Sequence, residues 1–171
     1  SVLTLNATLE SCEHIMENIV WDSLIKQALE KQYTNNYEMY LSYRDVIDPA
    51  FLRIKSLNPQ VKSITIYSSN STLYSHGDHL MPIQMLEQLP EGIEDCRIHW
   101  VVSPGADLEL YCGIYTRRGA PRNVVRICVD TEKVFGYLTE LFAENYGVLI
   151  TDEEGSTIFG CQIWEGEHVG R

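Results

Sequence analysis

His76 and His79 flank Asp78 in the run Ser75-His76-Gly77-Asp78-His79. Imidazole nitrogen together with carboxylate oxygen is a donor set suited to a transition metal. A metal site normally draws a third or fourth ligand from elsewhere in the chain, and the spacing names none. The same residues fit a solvated turn, so no metal is assigned. Cys12, Cys96, Cys112, Cys128 and Cys161 form no CxxC pair and take no zinc spacing with histidine. Cys112 and Cys128 lie in apolar runs, where a thiol acts as a small hydrophobe, so buried thiols are expected. There is no P-loop, dinucleotide glycine fingerprint, GxSxG or HExxH. The acidic run Asp152-Glu153-Glu154 leads into Gly155 and reads as a solvated turn. No catalytic residue and no cofactor is expected.

A second group of residues has the chemistry of recognition. A small-molecule site needs a concave face, aromatic walls and a few orienting polar groups. Tyr67, Trp100, Tyr111, Tyr115, Arg126 and Asp130 lie in or beside strand-like runs and are the candidate ligand-binding residues. Tyr111 and Tyr115 are four apart and would share one strand face, with Gly113 between them leaving room for a ligand or for close backbone approach. Trp100 offers a stacking wall. Arg126 can pair with a carboxylate, and Asp130 can accept from an amine. Ordinary packing of aromatics on a sheet is the competing account.

These residues depend on the elements that carry them. Leu5, Leu9, Cys12, Met16 and Ile19 recur at alternating spacings of four and three, the stripe of an amphipathic helix. That stripe fits packing on the chain's own sheet or half of a parallel dimer seam. Asp22 either caps a continuation through Leu24, Ala28 and Leu29 or lies within an unbroken helix. Thr34-Asn35-Asn36 reads as a break or new cap before a helix carrying Tyr37, Tyr40, Leu41 and Ile47. Asp48-Pro49 fits a cap with proline in the first turn, and Asn58-Pro59 stops the helix. The period then changes to two. Residues 61–67 read as a strand, Ser69-Asn70-Ser71 as a turn, and Leu73-Tyr74-Ser75 as the returning strand of a hairpin. Asn6 and Asn70 match the glycosylation acceptor pattern, but Asn70 suits the turn, where Asn tolerates left-handed backbone angles. Residues 81–89 read as a weak helix or ordered loop. Further strands are expected at 97–102, 108–116 and 123–129, then a helix over 132–144 capped by Asp130 or Thr131. A last hairpin is expected from 147–151 and 156–159.

The chain has 171 residues and a net charge of −11, with 24 acidic and 13 basic residues. That balance excludes an obvious phosphate-binding surface and argues against a nucleic-acid partner or adhesion to anionic lipid. No apolar run is long enough to span a membrane. Both ends are expected to be cut points, with flanking transmembrane helices outside the segment.

The run Val-Lys-Ser-Ile-Thr-Ile-Tyr-Ser-Ser-Asn-Ser-Thr-Leu-Tyr-Ser-His-Gly-Asp-His-Leu, the helical lead-in over residues 22–59, the stretch 108–138 and the tail 147–160 together resemble the extracellular double Cache, or PAS-like, sensor region of YesM-like sensor histidine kinases. The resemblance implies an α+β fold, a long N-terminal helical segment packed on a PAS-like central antiparallel sheet. It implies a helical lead-in at 1–57, a membrane-distal Cache lobe at 58–145 and the truncated start of a membrane-proximal lobe at 146–171. It further implies ligand sensing on the outer side of a bacterial membrane, a possible homodimer, and an output kinase domain acting on a response regulator. The ligand would be a small molecule or an extracellular binding protein. A chemoreceptor or cyclic-dinucleotide enzyme would use the same module, and a small intracellular enzyme is the reading from another class.

Overall fold

The computed structural model describes residues 2–86, 93, 96–102, 107–136, 147–151, 155 and 157–162. The first helix, α1 (Val2–Val20), ends just before Asp22. Asp22 accepts hydrogen bonds from the Leu24 and Ile25 amides at 2.8 and 3.0 Å and so starts α2 (Ser23–Glu30). Asn35 accepts from the Glu38 amide at 2.9 Å and starts α3 (Asn36–Ser42). Each cap satisfies amides that a helix start leaves without partners. One π-helical turn, Tyr43–Ile47, then carries the chain into α4 (Asp48–Leu57) without a break. Pro49 lies just beyond this widened turn, where the usual backbone ladder is already interrupted. Asp48 is therefore no cap. The apolar face over this stretch is also rotated from the expected one. Met39, Tyr43, Ile47 and Phe51 are buried at spacings of four, whereas Tyr37 and Tyr40 face solvent.

The strands are β1 (Val61–Ser68), β2 (Leu80–Pro82), β3 (His99–Val101), β4 (Leu108–Ile114) and β5 (Asn123–Val129). They form one sheet in the order β2-β1-β5-β4-β3. Every pairing is antiparallel except β1 with β2, which is parallel. The fold is thus α+β with a mixed sheet, as expected in class. A separate antiparallel pair, β6 (Gly147–Thr151) and β7 (Thr157–Gln162), forms the tail hairpin. The short helix α5 (Thr131–Phe135) follows β5, capped by Asp130, which accepts from the Lys133 amide. The remainder of the helix expected to 144, and the acidic turn at 152–154, lie outside the described residues. In place of the helix or loop over 81–89, the described part holds a single 3₁₀ turn, Ile83–Met85.

The core lies between the helices and one face of the sheet. Cys12, Met16 and Ile19 of α1 are buried against Leu110 and Cys112 of β4 and Val125 and Ile127 of β5 in one cluster. From Leu9 onward the α1 stripe therefore packs within the chain. Burying a side chain the size of Met16 or Ile127 contributes about 2–3 kcal/mol from apolar area alone. Cys12 is so enclosed that burial pushes its thiol up to about 11. Cys12, Cys96, Cys112 and Cys128 are all thiols. No described helix is long and apolar enough to cross a membrane.

The hairpin expected from residues 61–75 does not form. The chain leaves β1 at Ser68 and returns only at Leu80, running parallel to β1 with Ile66 opposite Leu80. Long-range bonds hold the intervening segment to the helices instead. The Asn70 side-chain amide donates to the carbonyls of Leu29 and Lys31, each at 2.8 Å, and its oxygen accepts from the Thr72 amide and hydroxyl. The Tyr43 hydroxyl donates to the Tyr74 carbonyl at 2.6 Å. Asn70 is buried, and its φ is not in the left-handed region, so its side chain rather than its backbone freedom makes it suited to the site.

Candidate functional site

The face of the sheet turned away from α1 carries the polar chemistry. Along β5 the alternation of a strand sends Val125, Ile127 and Val129 toward the helices and Val124, Arg126 and Cys128 to the other side. Arg126 stands between Thr65 of β1 and Tyr111 of β4 in register, in the middle of the sheet. Its guanidinium forms an ion pair with Glu109, two residues before Tyr111 on the same face of β4. A second arm of the fork donates to the Tyr67 hydroxyl at 3.4 Å. The Tyr111 hydroxyl donates to Glu109 at 3.0 Å. Among the described residues, Arg126 Nε is buried without a hydrogen-bond partner, which leaves a charged donor unsatisfied in a poorly solvated place. Burial first, and the Glu109 charge second, push the Tyr111 phenol well above its ordinary range, so it stays a neutral donor.

An apolar wall closes around this group. Tyr67, Tyr111, Val124 and Ile93 are buried together, with Met81, Ile83, Leu86 and Val101 packed at the margin. Ile93 comes from the segment connecting β2 to β3. A Cβ on Gly113 would lie 2.6 Å from the Ile93 carbonyl oxygen, so only glycine lets Ile93 settle on β4. The result is a fork-shaped cation, a carboxylate and two phenols set among apolar side chains, an arrangement that can orient a small anionic or zwitterionic molecule.

Three of the six residues expected at a ligand site, Tyr67, Tyr111 and Arg126, meet here. The other three do not. Trp100 pairs with Leu110 across β3 and β4, and so faces the helices, where its indole N–H donates to Glu13 at 2.8 Å. Tyr115 follows the end of β4, is 61% exposed and lies under Lys26 of α2; it does not share a strand face with Tyr111. Asp130 is engaged as the α5 cap. Glu109 was not among the expected residues, although the alternation that selected Tyr111 also selects it.

A second polar cluster lies where the loop leading into β2 meets α4. His76 and His79 both turn to Asp48 of α4, not to Asp78 between them. His76 Nε2 lies 2.9 Å from both Asp48 oxygens, and His79 Nδ1 lies 3.0 Å from one. Desolvation acts to raise the Asp48 pKa, but hydrogen bonds and charge from His76 and His79 outweigh it and hold the carboxyl below its ordinary value.

No protein-family model matches the sequence, and no curated protein matches it significantly. A solved structure does. The chain is similar in fold to the sensor domain of E. coli DcuS. The match has a TM-score of 0.50 at 15% sequence identity and covers 80% of this chain and 98% of that one. At that identity the likeness establishes a shared fold and nothing finer.

Proposed function

We propose that this chain is the extracellular ligand-sensing domain of a membrane-bound sensor histidine kinase, YesM-like in organisation, and that its ligand is a small organic molecule bearing a carboxylate. The observation that carries the reading is Arg126. It is a half-buried guanidinium in the centre of the sheet, with one nitrogen unsatisfied and two phenols beside it. The likeness to a sensor domain supports it from the side of the fold. The segment itself would bind and not catalyse. On this reading, ligand on the outer sheet face competes for Arg126 with Glu109. That shifts β4 and β5 against α1, which would couple to a flanking transmembrane helix and bias a two-state kinase, with a response regulator as the downstream partner. The tail hairpin β6–β7 would open the membrane-proximal lobe, and paired copies would signal as a homodimer.

Thermal-shift screening of the chain against amino acids, dicarboxylates and sugars, followed by calorimetry, tests the proposal. A carboxylate ligand should raise the melting temperature in proportion to ln(1 + [L]/Kd), and Arg126→Met should weaken binding by about 100-fold, as for loss of a charge-assisted pair. A sugar ligand whose affinity ignores Arg126→Met would defeat it.

A further inference from the structure

Asp48, His76 and His79 play no part in that ligand site, yet their geometry is that of a ligand set. We propose that these three residues bind a divalent late transition metal ion, zinc foremost, through Asp48 carboxylate oxygen, His76 Nε2 and His79 Nδ1. One donor atom from each lies within 4.8 Å of the others. Tetrahedral coordination at zinc-ligand distances of 2.0–2.1 Å places donors about 3.3 Å apart. The observed 2.9 and 3.0 Å separations from Asp48 need to open by only a few tenths of an ångström. Two imidazoles select zinc, cobalt, nickel or copper over magnesium and calcium, which take all-oxygen shells.

The rings are held for this task. His76 stacks on Tyr43 with centroids 4.4 Å apart, and Phe51 meets the His79 ring edge-on at 5.2 Å. The loop bearing the histidines is closed by its own backbone: the His79 amide donates to the His76 carbonyl, and the His76 amide donates to Leu80. Gly77 takes a φ of 51° at the tip, which an L side chain rarely adopts. A further bond from the Ile66 amide to the His79 carbonyl ties the loop to β1. The cluster opens on a cleft of about 360 Å³ that Lys55 and Lys62 also line. Three protein ligands leave a fourth position for water or a small anion, as in zinc sites that exchange ligands. A bound ion would join α4 to the loop after β1, and so clamp the helical lead-in to the sheet edge.

The test is titration of the tag-free, chelator-stripped chain with zinc chloride by calorimetry, and with cobalt chloride by visible absorption. One zinc should bind per chain, and cobalt should give the intense d–d bands of a four- or five-coordinate nitrogen–oxygen site. Asp48→Asn, His76→Gln and His79→Gln should each weaken zinc at least about tenfold, since even outer-shell changes cost 10–100-fold. Asp78→Asn and His14→Ala should leave it unchanged. Melting in chelator identifies any variant that does not fold, and the cobalt spectrum of the unaltered chain then decides without it. A spectrum that stays that of hexaaqua cobalt, or loss of binding on Asp78→Asn instead of Asp48→Asn, overturns the proposal. In the first case the three residues are a hydrogen-bonded network only.

Discussion

The two faces of the sheet are built from the same three central strands and differ in nearly everything else. On the helix side, Ile64, Ile66, Leu110, Val125 and Ile127 meet the α1 stripe in a core with almost no solvent access. On the other side, the same strands present Thr65, Glu109, Tyr111 and Arg126, with Ile93, Met81 and Val101 packed against that face. The first face has every reason to be rigid, because each methylene removed leaves a gap. The second holds a charge pair whose desolvation offsets most of its attraction, so it adds little to stability. Apolar packing and polar chemistry are therefore divided by strand parity, residue by residue along β4 and β5.

That separation can be attacked directly. Ile127→Ala should cost about 3–4 kcal/mol, measured by urea unfolding, because the residue is fully buried on the helix side. Ligand affinity of the remaining folded fraction should be unchanged. A large affinity loss would mean that the inner packing also shapes the outer face. Asn70→Ala should cost about 2–3 kcal/mol by stranding two carbonyls and the Thr72 donors. If it proves neutral, the tie between helices and loop is incidental. Glu109→Gln should cost about 1–2 kcal/mol by leaving the half-buried Arg126 without its counter-charge. Combining it with Arg126→Met should recover most of that, a coupling read from the double-mutant cycle.

Smaller effects sharpen the picture. Tyr43→Phe should cost about 1 kcal/mol through its lost bond to the Tyr74 carbonyl. Burial, with a smaller push from Tyr33, raises the Tyr43 phenol to about 12. A raised folded pKa contributes stability that is complete below the unfolded value near pH 10 and disappears as pH climbs through the folded one. Unfolding curves between pH 9 and 12 should therefore be flatter for the Phe variant, and an unchanged slope would contradict the burial account. Tyr115→Ala should change stability by less than about 0.5 kcal/mol, since its contact with Lys26 is exposed. A larger loss would mean that Tyr115 packs against the helices more firmly than its exposure indicates.

What could be read in advance follows the range of the interactions. β5 begins and ends where alternation and flanking turn residues placed it, because a strand buried on one face writes its period into the sequence. The caps at Asp22 and Asn35 act over two or three residues, and each was one of two readings that the residues left open. Trp100 was misread because β3 is only three residues long, too short for parity to declare itself, and only its register with Leu110 fixes the direction. The hairpin after β1 was misread because the bonds that prevent it reach from Asn70 back to Leu29 and Lys31. Asp48 was invisible as a partner of His76, 28 residues away; its neighbour Pro49 made it look like a cap.

The placement of α1 has one further consequence. α1 rests on β4 and β5, and Glu13 is joined to Trp100, 87 residues later. During synthesis α1 emerges with its apolar stripe uncovered and has no surface to settle on until β4 and β5 have followed. Contacts of such sequence separation carry a large loop-closure cost and slow folding. Any fragment ending before β5 would keep the stripe exposed, and should aggregate or be held by a chaperone.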